Sequence, residues 1–198
     1  MEQWPVPLED LVFVTHSMGG LVVRSAYHYG SIAGQDWPCH VRKIVFLGAP
    51  HHGTPLERGG NWVNVVFGLS PYTAPFARLG RIRSSGITDL RFGNLLDEDW
   101  YGRDRFDAWP DLRRHVPLPE TVQCYAIAGA TERASRVLTD FLGDGLVPVD
   151  SALGRHKDPQ RTLSFSKSQQ WVAYGVSHFD LLNHPAVYER IRRWLTSQ

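Results

Sequence analysis

A serine, an aspartate and a histidine stand along this 198-residue chain where acyl-transfer chemistry would need them. Ser17 follows the apolar run Leu11-Val12-Phe13-Val14 and precedes Met18-Gly19-Gly20. A buried strand that runs into a serine, and then into glycines opening a helix, presents that serine in a strained, exposed position. The next backbone N–H can point at a developing oxyanion. Such a serine needs a base, and the base needs an acid to orient it. Asp144 stands between Gly143 and Gly145, whose freedom favours a tight turn that projects the carboxylate. Asp140 and Asp150 compete with it less well. His178 lies in Ser177-His178-Phe179-Asp180, where Asp180 is expected to cap the turn, and His184 is a weaker rival at a helix start.

The elements that must position these residues alternate between strand and helix. Residues 11–14 read as a short strand buried on both faces of a parallel sheet. Residues 20–29 turn helical, ending near Gly30. Ile44-Val45-Phe46-Leu47 is a second strand, stopped by Gly48-Ala49-Pro50. Residues 122–128 and 171–176 read as the third and fourth. The last helix opens at Pro185, with Val187, Ile191, Trp194 and Leu195 facing the sheet. In an open parallel sheet, all three polar residues then lie beyond the C-terminal ends of strands. His16 is expected to pack rather than act as base. His51 and His52 read as a polar loop, with lining of the site mouth as the functional alternative.

Between the second and third strands runs a long irregular stretch, and loops of that length are usually lids or binding loops. Residues 54–118 are expected to form a cap insertion within a single domain of 1–198. Trp62, Val66, Phe67 and Tyr72 would give its apolar underside, as an acyl-binding surface or a satellite core. Residues 78–111, charged and punctuated by glycine, read as solvated surface.

Composition narrows the class. There are 21 basic and 20 acidic residues, so neither nucleic acid nor an anionic membrane is an expected partner. The nine histidines show no metal-ligand spacing, and no metal or cofactor is implied. Cys39 and Cys124 are too sparse for a disulfide scaffold and read as buried or half-buried thiols. No apolar run reaches the roughly 18 residues of a membrane span. Met1-Glu2-Gln3-Trp4-Pro5 has no signal-peptide pattern, so a cytoplasmic location is expected.

Four blocks together resemble the α/β-hydrolase superfamily, and within it lipase/esterase-like members of the PGAP1-type (GPI inositol-deacylase-like) group. They are Val14-Thr15-His16-Ser17-Met18-Gly19-Gly20, Leu47-Gly48-Ala49-Pro50-His51-His52-Gly53-Thr54, Gly143-Asp144-Gly145-Leu146-Val147-Pro148 and Ser177-His178-Phe179-Asp180-Leu181-Leu182. The resemblance implies hydrolysis of an ester or acyl bond through an acyl-enzyme. Ser17 matches the nucleophile, Asp144 the acid, His178 the base and Met18 the oxyanion N–H donor, in the chain order of that superfamily. Two departures follow. Thr15 replaces the first glycine of Gly-x-Ser-x-Gly and should tighten the elbow. The superfamily also has about four strands before the elbow, which carry a second oxyanion donor, and nothing before Leu11 reads as those strands.

The fold class expected is therefore α/β: a truncated α/β-hydrolase fold, with a mainly parallel sheet of about four strands flanked by helices. An open edge at Leu11-Val12-Phe13-Val14 would invite a second copy to pair there as a homodimer, or an additional segment to cover it. The His51–Thr54 loop, or His52 itself, is a candidate substitute oxyanion donor. The function expected is a serine esterase or lipase acting on a small-molecule or lipid ester. An acyltransferase using the same triad and a non-catalytic interaction module are the alternatives.

Overall fold

The computed structural model describes residues 5–54, 89–90, 92–102, 110–131 and 143–197. Four strands lie side by side in chain order, all parallel: β1 (Leu11–His16), β2 (Val41–Leu47), β3 (Gln123–Ala130) and β4 (Gln170–Tyr174). Among the described residues the sheet is accompanied by the α-helices α1 (Gly19–Ile32), α2 (Val149–Ala152) and α3 (Pro185–Thr196). The α/β class and the four-stranded parallel sheet match the reading of the sequence.

The period-two alternation of the central strands sorts the core into two layers. Ile44 and Phe46 of β2 join Cys124, Ala126 and Ala128 of β3 on the face covered by Val23 of α1 and Val149 of α2. Val45 and Leu47 join Tyr125 and Ile127 on the opposite face, under Val187 and Trp194 of α3. Lys43 ties β2 to the end of α3, donating to the carbonyls of Trp194 and Leu195 at 2.9 and 3.2 Å and to that of Ser197. A cation there complements the helix dipole.

Several details differ from the sequence reading. β1 is not buried on both faces: Val12 and Val14 are 44 % and 48 % exposed. The α3 layer rests on β2 to β4 and leaves the β1 end of that face open among the described residues. α1 runs to Ile32, two residues beyond Gly30. A Cβ there would come within 2.9 Å of the Trp37 ring, so this glycine serves helix packing, and Gly34 at φ 64° ends the element. Leu195 is more than a third exposed and does not pack with Val187 and Trp194. Cys39 is exposed, whereas Cys124 is buried. The described part of 78–111 is not all solvated surface, because Leu90 and Leu96 are buried, Leu90 packing against Leu21 of α1. Trp62, Val66, Phe67 and Tyr72, and most of the expected 54–118 cap, lie outside the described residues. No helix among the described residues is long and apolar enough to cross a membrane.

Candidate active site

β1 hands the chain to α1 through a turn at Ser17. Its φ of 54° is the sole positive value on a non-glycine residue among the described residues. An L-residue in that region carries roughly 1–2 kcal/mol of steric cost. The surroundings enforce it. Ser17 N–H donates to the Leu47 carbonyl on β2 at 2.9 Å, and Gly20 N–H returns to the Ser17 carbonyl at 3.0 Å. Gly20 allows α1 to press on β2, since a Cβ there would stand 2.5 Å from Ala49 Cβ. Thr15 is accommodated without crowding. A Cβ at Gly19 would meet Thr15 Cβ at an ordinary 3.8 Å, and the Thr15 hydroxyl donates to Val45 O at 3.3 Å. The Met18 N–H makes no hydrogen bond to a described group, and it sits where the dipole of α1 favours negative charge.

Beyond β3 and β4, Asp144 and His178 form a buried pair, Asp144 Oδ2 standing 2.7 Å from His178 Nδ1. The other carboxylate oxygen accepts the N–H groups of Leu146 and Val147 at 3.0 and 2.8 Å. Both carboxylate oxygens are thus engaged, which fixes the carboxylate plane. Gly143 (φ 53°) and Gly145 (φ 96°) make the turn that aims it. The pair passes directly over Gly48 at the end of β2, where a Cβ would meet Asp144 Oδ2 at 3.0 Å and His178 Cε1 at 3.1 Å. That close approach accounts for the glycine in Leu47-Gly48-Ala49-Pro50.

His178 is held at its backbone as well. Its N–H donates to the Asp144 carbonyl at 3.0 Å, and its own carbonyl accepts from His16 Nε2 at 2.9 Å. The two imidazole rings lie 4.6 Å apart. His16 therefore does more than pack, and a histidine immediately before the elbow serine was the available signal for it. Desolvation, and then the neighbouring His178, lower the His16 pKa, so it stays a neutral donor. Asp180 takes the Ser177 hydroxyl at 2.5 Å and the Ser177 N–H at 3.2 Å, holding the turn as expected. His178 Nε2 has no partner among the described residues, and neither has Ser17 Oγ; the Ser17–His178 hydrogen bond is open in this structure. Catalytic hydrogen bonds of unliganded sites often close only when substrate is bound.

His51, in the loop after β2, does not line the site mouth. His51 is buried, set edge-on to Phe46 at 4.8 Å. Nor can the loop replace a second oxyanion donor with its backbone. The N–H groups of His51, His52, Gly53 and Thr54 donate to Ala49 O, Ser151 Oγ, Pro50 O and Leu90 O. A groove of about 440 Å³ opens instead beside Met18, lined by Leu21, Val22, Ala26, Leu96 and Trp100. Its apolar residues come from the outer side of α1 and from 95–100, a juxtaposition that sequence spacing does not reveal.

The parallel β1-to-β4 sheet with helices packed on it is an α/β fold, and it is shared with solved lipase and esterase structures. The mature form of Bacillus licheniformis lipase BlEst2 superimposes with a TM-score of 0.52 at 17 % identity, covering 96 % of this chain and 66 % of that one. Its propeptide form gives 0.54 at 16 %, covering 96 % and 36 %. EstA from Clostridium botulinum gives 0.52 at 11 %, covering 94 % and 64 %. The chain thus spans 66 % or less of the length of these solved structures. At such identities the likeness is one of fold. A family model described as a domain of unknown function (DUF7379) matches residues 9–82. No curated protein matches the chain.

Proposed function

We propose that this protein is a serine hydrolase of carboxylic esters working through an acyl-enzyme. The observation that carries the reading is the strained Ser17 at the end of β1, at the same C-terminal end of the sheet as the buried Asp144–His178 pair. Ser17 Oγ attacks the ester carbonyl while His178 Nε2 takes its proton. The Asp144 carboxylate keeps the remaining imidazole proton on Nδ1 and stabilises the imidazolium. The Met18 N–H, at the α1 N-terminus, receives the oxyanion. The imidazolium then protonates the leaving alcohol. Water, deprotonated by His178, attacks the acyl-Ser17 ester and releases the acid.

The groove beside Met18 fits the acyl chain, with Leu21, Val22, Leu96 and Trp100 as its apolar wall. Trp62, Val66, Phe67 and Tyr72 are proposed to add apolar contacts to the same group. The four-block likeness to PGAP1-type members favours a lipid ester. A p-nitrophenyl ester series of rising chain length, with Ser17→Ala as control, tests the reading. Activity should rise with chain length to a limit and disappear in the variant; hydrolysis that survives Ser17→Ala would refute it. The side of β1 away from β2, unpaired among the described residues, is proposed to pair with a second copy of the chain, and a monomer mass by light scattering would sink that part.

A further inference from the structure

Arg24 on α1 is buried without an acid. Its side chain is 6 % exposed, and no carboxylate pairs with it among the described residues. One terminal nitrogen donates to the Val116 carbonyl at 2.5 Å and the other faces His51 Nδ1 at 3.3 Å. Its Nε–H is buried with no hydrogen-bond partner among the described residues. Burial lowers the Arg24 pKa to about 9, which still leaves it a cation near neutral pH. A lone buried charge is costly, and structures normally pair it.

The imidazoles beside it are forced into one tautomer. A guanidinium can only donate, so His51 Nδ1 must accept from Arg24, and His52 Nδ1 must accept from Arg113 at 2.7 Å. Their protons therefore sit on Nε2. His51 Nε2 and His52 Nε2 are both buried without an acceptor among the described residues. Every unsatisfied atom of the cluster is a donor.

These side chains line a cavity of about 20 Å³, together with Arg113, His115 and Arg161. Among the described residues, no carboxylate lines it. Asp111 is shared between Arg113 at 3.2 Å and Arg161 at 2.9 Å. Asp158 lies 3.8 Å from Arg161. Asp99 is committed to the N–H groups of Leu95, Leu96 and Arg114. Among the described residues, no carboxylate is left to balance the Arg24 charge. The volume admits one water-sized occupant, and the exposed Arg114 and His115 mark the side open to solvent. A water would satisfy donors and leave the charge; a monatomic anion answers both.

We propose that the cavity between Arg24 and His51 binds a single chloride-sized anion, which ties α1 to the loop after β2 and to residues 113–116. The site is separate from the proposed hydrolysis and does not depend on it.

Two measurements on the full chain test this. Crystals soaked in sodium bromide should show an anomalous bromine peak in the Arg24–His51 cavity of the wild type. Thermal unfolding in chloride, with gluconate holding ionic strength constant, should rise by about 3–5 °C for each tenfold of chloride above half-saturation. Arg24→Met should lose that dependence, and His51→Phe should weaken it if the first variant does not fold. No bromine peak, or a midpoint that ignores the exchange of chloride for gluconate in the wild type, would overturn the proposal.

Discussion

His16 and His178 stand ring beside ring at 4.6 Å, and the His16 Nε2–H donates to the His178 backbone carbonyl at 2.9 Å. His178 is thus held at three points: its N–H and Nδ1 by Asp144, its carbonyl by His16. A residue one step before Ser17 braces the proposed base, so β1 positions both partners of the proton transfer. His16→Phe keeps a ring in place and removes the donor. It should lower kcat about tenfold with little change in KM, and His16→Gln, which restores a donor, should recover part of the loss. Equal loss in both variants, or a loss confined to KM, would assign His16 a packing role.

Gly48 carries the Asp144–His178 pair across its open face. Gly48→Ala meets both a φ of 55° and contacts of 3.0 and 3.1 Å with the pair. The expected result is about 1–3 kcal/mol of lost stability and a fall in kcat of about 10²-fold, because the pair is displaced. Urea unfolding and ester kinetics on the same preparation read both effects. An unchanged kcat would mean that the pair tolerates the shift.

The strain at Ser17 has its own signature. Relieving φ 54° with glycine should make Ser17→Gly more stable than Ser17→Ala by about 1 kcal/mol, while both are inactive. Equal unfolding midpoints for the two variants would remove the strain from the account.

Much of this was legible in the chain. The apolar runs at residues 44–47 of β2 and 124–128 of β3 each stop at a glycine, and the three polar residues follow strand ends in order. What was not legible depends on partners far apart in sequence. Gly30 reads as a helix stop but answers to Trp37, Val12 and Val14 read as buried but face the side α3 leaves open, and His51 reads as a polar loop residue but packs on Phe46 beside Arg24. Burial of Leu90 against Leu21 likewise joins segments that local periodicity treats separately.

Buried imidazoles make the fold acid-sensitive. Desolvation lowers the pKa of His16, His51 and His52, the last to about 3. As pH falls through the ordinary 6.5, the unfolded chain takes up protons that the folded chain refuses. Stability is therefore fully present above that value and drops below it, by up to about 1.4 kcal/mol per pH unit for each imidazole kept neutral. Urea midpoints should be level from pH 8 to 7 and decline from 6.5 downward. A level profile to pH 4.5 would contradict these assignments.

Covalent labelling at Ser17 tests the central claim most directly. A fluorophosphonate probe, followed by intact mass and peptide mapping, should place one adduct on Ser17 in the wild type and none on Ser17→Ala. Absence of any adduct on folded wild type, or equal labelling of the variant, would contradict a serine nucleophile at the end of β1.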